Sequence, residues 1–231
     1  MRPSTKLTLW IAVMILVGLS LRDGFRVVAS QDEEYFTWTA KQAESIGKAM
    51  CEKGRVGAGQ GLLHTERATS YKLRATWLTP EVVRASARLE QIKARLSDER
   101  TRQLVTEAES VGDTVLMVEI DPREGSGVVP LDWQAFLQPR GVRAGAPGAV
   151  TGTNTPKLRD IKALAGVTQR DYDYDVFWIV FPLKNEKGAP IFSESTTEAE
   201  LVVRIYNKEG KVSWRIPDSI RRRSGSMTKH L

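Results

Sequence analysis

Asp171, Asp173 and Asp175 occupy every second position of the stretch RDYDYD, so an extended chain would point all three carboxylates the same way. Hard oxygen donors in that arrangement could hold calcium. The calcium-loop pattern also requires glycine at the sixth place and glutamate at the twelfth, where this chain has Val176 and Pro182. The charges have a simpler use in guarding the apolar run Val176 to Phe181 against aggregation, with Pro182 and Lys184 at its far end. A second acidic group, Glu119, Asp121 and Glu124, could supply the paired carboxylates of a glycosidase, the first two sharing one face of a strand. Neither spacing nor context singles them out.

Cys51 is the single cysteine, and His64 is the only histidine before the tail. A thiolate–imidazole pair would be a nucleophile with its base. Cys51 follows Met50, an apolar-face residue near a helix end, and reads as a half-buried packing thiol. With one other histidine, His230, in the whole chain, imidazole-based zinc sites of the ordinary kind are excluded. The loop Gly57-Ala58-Gly59-Gln60-Gly61 has the glycines of a dinucleotide fingerprint with the spacing one residue short. A helix precedes it and a strand follows, the reverse of what pyrophosphate binding needs. The triplets GSG at 125–127 and SGS at 224–226 lack the G-x-S-x-G elbow of hydrolases. No catalytic, cofactor or metal residue is assigned from the sequence.

The elements that must position these side chains are legible in the spacing. Thr39 with Gln42 forms a capping box, and Ala43, Ile46 and Met50 share a helix face that stops at Gly54. Tyr71, Leu73, Ala75 and Trp77 alternate with polar residues, a half-buried strand. Thr79-Pro80-Glu81 opens a helix whose stripe runs Val82, Ala85, Leu89, Ile92, Leu96. Ser97-Asp98-Glu99 reads as a second cap, compatible with one kinked helix or a helical hairpin. Thr114 to Ile120 is a strand, Trp133 to Leu137 is ambiguous, and residues 139–157 read as a long mobile loop. Val176 to Phe181 has the continuous apolar character of a strand buried on both faces. Leu201 to Ile205 and Val212 to Ile216 form an antiparallel hairpin turning at 207–210. Trp77, Trp178 and Trp214 fall on expected core positions. The pattern predicts an α+β fold: a mainly antiparallel β domain, a β-sandwich of immunoglobulin-like or related shape, with a helical insertion. Its expected organisation is a leader over 1–30, a short helix and Gly-rich linker over 31–66, the β-rich domain over 67–218, and a disordered basic tail over 219–231.

Leu7 to Leu21 is uncharged, preceded by Arg2 and Lys6 and followed by Arg22, Asp23 and Arg26. Fifteen helical residues rise about 22 Å, short of a hydrocarbon core roughly 30 Å thick, which favours a secretory signal. Gly18 and Ser20 suit a cut before Leu21, and an uncleaved anchor remains the alternative. Charge bias leaves the start cytoplasmic and sends the rest across the membrane.

The chain's net charge is +6, yet residues 1–30 carry +3, the tail from Ser219 carries +4, and the middle carries −1. A nucleic-acid reader would concentrate that excess on its folded domain, so nucleic acid is set aside. Arg221 to Arg223 read as a solvated end. The expectation is an exported protein of the periplasm, cell envelope or exterior, free or anchored by Leu7 to Leu21, without cofactor. It would be a non-enzymatic binding or scaffold module with an envelope protein as partner. The alternative is an exported hydrolase using carboxylates alone.

Overall fold

The computed structural model describes residues 33–57, 70–123, 127–143, 146, 148–168 and 171–225. The leading apolar stretch, His64, Glu124, most of the glycine-rich loop and the last six residues lie outside them. The chain divides into two compact units, 1–38 and 39–231. In the first, Glu34–Thr37 form a 3₁₀ turn, where Tyr35 meets Phe36 and Trp38 at ring distances of 4.2 and 6.3 Å.

The second unit begins with α1 (Ala40–Lys48). Its Thr39 hydroxyl accepts from the Gln42 amide while the Gln42 side chain accepts from the Thr39 amide, the reciprocal cap read from the sequence. Strands β1 (Cys51–Val56) and β2 (Tyr71–Trp77) follow, then α2 (Pro80–Ala94) and α3 (Asp98–Glu109). Thr79 and Ser97 each cap a helix by accepting a backbone N–H, and Arg95 between them takes the left-handed conformation at φ 55°. The insertion is therefore a helical hairpin, because Arg95 ends α2 before Ser97 starts α3. The remaining strands are β3 (Thr114–Asp121), β4 (Gln134–Pro139), β5 (Val150–Thr151), β6 (Thr153–Asn154), β7 (Asp175–Phe181), β8 (Glu198–Ile205) and β9 (Lys208–Arg215). Helix α4 (Asp218–Ser224) follows them.

Among the described residues nine strands form one antiparallel sheet in the order β5-β4-β8-β9-β1-β2-β3-β7-β6. The two end strands are consecutive in the chain. Val150–Thr151 pairs with β4, Thr153–Asn154 pairs with β7, and the Gly152 amide between them donates to the Ala135 carbonyl. This short strap joins the two edges and makes the sheet nearly a barrel. A Cβ on Gly152 would lie 2.6 Å from the Phe181 ring, so only glycine lets the strap cross there. The architecture is β-rich with a few helices, as expected. Its single, nearly closed sheet differs from two facing sheets, and the difference lies in residues 139–157. Their Gly, Pro and Thr content reads as a loop, yet they hold β5, β6 and the start of the 3₁₀ turn Pro156–Asp160.

Inward-facing side chains fill the barrel. Trp77, Leu116, Ile179, Phe181, Phe192, Leu201 and Ile205 are fully buried, each worth about 2 kcal/mol on transfer from water. Trp77 meets Phe192 and Trp214, and its indole donates to Thr114 Oγ1 at 2.7 Å. Gly54 and Gly210 let β1 approach β9: a Cβ on Gly210 would sit 2.6 Å from the Arg55 carbonyl oxygen. Gly210 is thus a strand residue, and the hairpin turns at Tyr206-Asn207, with Tyr206 at φ 54°. The tail expected to be disordered is helical over Asp218–Ser224, because Ile220 is buried in the core.

Candidate functional site

The polar residues with chemical potential gather on the outer face of β1, β2, β3 and β7. Register sets them in rows. One row runs Lys53, Arg74, Glu119, Val176, and the next runs Cys51, Thr76, Met117, Trp178. Glu119 is 2% exposed, and its carboxylate is gripped at both oxygens by Arg74, with Nε at 2.6 Å and Nη2 on the other oxygen. Burial without such a partner would cost several kcal/mol. The Tyr174 ring covers the guanidinium at 4.9 Å, and the Glu119 hydrogen bonds hold the Arg74 pKa above its ordinary value.

Asp121, fully buried, has its own clamp. The Arg123 side chain donates from Nε and Nη2 at 2.9 Å each, and its backbone amide adds a third bond at 3.0 Å. Those bonds hold the carboxyl below the usual carboxylate range, against the opposing effect of burial. Arg123 Nη1 also reaches Asp173 at 2.8 Å. Of the three alternating aspartates, then, Asp173 is spent on an arginine. Asp171 uses its carboxylate and its carbonyl to accept the amides of Asp173 and Tyr174, closing a turn. Only Asp175 enters the strand, so the extended conformation that would align all three is not adopted. Among the described residues no group of three His, Cys, Asp or Glu side chains gathers around one point.

Cys51 opens β1 instead of closing a helix, and is half-buried. It faces Thr76, whose buried hydroxyl has no hydrogen-bond partner among the described residues. His64 lies outside the described residues, so the thiolate–imidazole pairing has no geometry to report.

Beside these clusters runs a groove of about 1160 Å³, larger than the roughly 300–1,000 Å³ of small-molecule pockets. Its floor is the outer face of β3 and β7, with Met117 and Trp178 prominent. One wall is α1 and α2; the other is the stretch 159–168. Two hydrogen bonds hold that second wall in place: Ser86 Oγ to the Gly166 carbonyl at 2.7 Å, and Trp178 Nε1 to the Leu164 carbonyl at 2.8 Å. The expectation that Val176 to Phe181 is covered on both faces is corrected here. Val176 and Trp178 are only half-buried, because the groove leaves this side of β7 open.

Sequence reasoning missed Arg74, Tyr174 and the lysines of the groove rim, Lys93 and Lys162. Alternation on β2 placed Arg74 on the outer face, but nothing local pairs it with an acid 45 residues away. Among the described residues no helix is long and apolar enough to cross a membrane. Compared with known protein families, with curated proteins and with solved structures, the chain matches none.

Proposed function

We propose that this chain is an exported or membrane-anchored envelope protein whose β-rich domain binds a protein partner through the groove beside β7, without catalysing a reaction. The observation that carries the reading is the groove itself: a large, half-apolar recess on an otherwise filled barrel. Buried side chains pack the interior, which favours recognition at the outer face. The composition of Leu7 to Leu21 supports export.

A carboxylate-dependent hydrolase fits less well. Such an enzyme needs two acids facing each other about 5–9.5 Å apart across a cleft, one of them holding its proton near neutral pH. Glu119 and Asp121 lie on one strand face, each bound to an arginine, and the Asp121 carboxyl is held low instead of high. The test is fractionation of the native cells with mass spectrometry of the protein's N-terminus. An envelope product cut near Leu21, or retained whole in the membrane, is the expected result. A full-length protein dissolved in the cytosol would defeat the proposal.

A further inference from the structure

We infer that the groove takes an extended polypeptide segment as an added strand on the open half of β7. This rests on the binding reading above and names the partner's chemistry. On the side of β7 facing away from β3, β6 covers only part of the strand: Thr153 pairs with Val180, Asn154 with Ile179, and the Thr155 amide donates to the Trp178 carbonyl. The chain then turns away into Pro156–Asp160. Backbone groups on a strand face the same edge at every second residue. The Trp178 carbonyl faces β6, so the N–H and C=O of Val176 face that same edge, two residues beyond the last bond. Among the described residues no strand pairs there. Asp175, Val176 and Phe177 line the groove, as do Val129 and Arg159.

Unmet main-chain donors and acceptors on a strand select another polypeptide, whose backbone bonds supply affinity while alternate side chains supply selectivity. The recess argues for a single segment. A folded sheet edge pairs over several residues, whereas β6 leaves uncovered only the part of β7 before Trp178. Charge narrows the guest further. Among the described residues Lys93 and Lys162 on the one hand, and Glu90 and Asp175 on the other, form no ion pair within the chain, and their charges cancel. A strongly acidic or strongly basic guest would leave half of them opposed, so the matching segment has little net charge. Every second residue would be apolar, to meet the half-buried Val176 and Trp178.

The experiment pans a displayed library of extended twelve-residue peptides against the full chain and remeasures the strongest binder as a synthetic peptide. Expected binders alternate apolar and polar residues with little net charge. Two changes should each weaken binding tenfold or more: Val176→Pro, which removes the edge N–H and no β3 bond, and N-methylation of the peptide at alternate residues. Lys211→Ala on the far side should leave it unchanged. Circular dichroism and melting temperature matching wild type show that the proline variant folds. If it does not, the N-methylated peptide alone decides. Binding indifferent to both changes but lost in Trp178→Ala would overturn strand addition and leave the groove as a partner site. Recovery of no binder, or only of strongly charged ones, would also overturn it, with the export test above unaffected.

Discussion

The two buried carboxylates on β3 answer to different arginines, and each pair makes its own forecast. Removing the guanidinium in Arg74→Ala strands Glu119 as a buried, unpaired charge. The loss should be about 3 kcal/mol by denaturant unfolding, and Arg74→Met with Glu119→Leu together should recover most of it. A single-variant change under about 0.5 kcal/mol would mean that water already reaches Glu119. Asp121 titrates below its unfolded value, so its contribution is present above about pH 3.9 and disappears as acid carries the solution through its lower folded pKa. Asp121→Asn should therefore lower the melting temperature at pH 7 and flatten its fall between about pH 4 and pH 2. Equal slopes for variant and wild type would contradict the clamp. That Glu119 and Asp121 share a face was readable from their spacing of two. Their arginines were not, since one lies across a strand pairing and the other folds back from the following turn. The aspartates at 171, 173 and 175 misled because local hydrogen bonds from the Asp171 side chain and carbonyl bend the chain before the strand begins.

Elements with local signals were the legible ones. The Thr39–Gln42 box, the Thr79-Pro80 start, the Ser97 cap and the alternations of β2, β3, β8 and β9 each depend on residues within a few positions of one another. β1 hid behind its composition: Cys51–Val56 is polar, carries a glycine, and is a strand because β2 and β9 supply partners on both sides. Gly210 reads as a turn residue in the sequence, although its missing side chain is what lets β1 come close. Gly210→Ala should accordingly destabilise the domain by about 2 kcal/mol, measured by thermal or urea unfolding. A neutral effect would show that β1 can shift away without cost.

For the second unit as a whole, buried side chains fill a near-closed barrel, and helices beside its outer face make part of that surface a groove. β-rich character was visible in the order of strands and helices, whereas closure was not: two residue pairs on each side of Gly152 decide it, too few to leave a period in the sequence. The groove was equally hidden, because its walls come from α1, α2 and the stretch 159–168, which the fold alone brings together. Photo-crosslinking in the native cells tests the central claim most directly, with a benzophenone amino acid placed at Lys162 on the groove rim or at Arg215 on the exposed face of β9. A discrete protein adduct from Lys162 and none from Arg215 is the expected result. Equal adducts from the two positions, or an adduct from Arg215 alone, would contradict it.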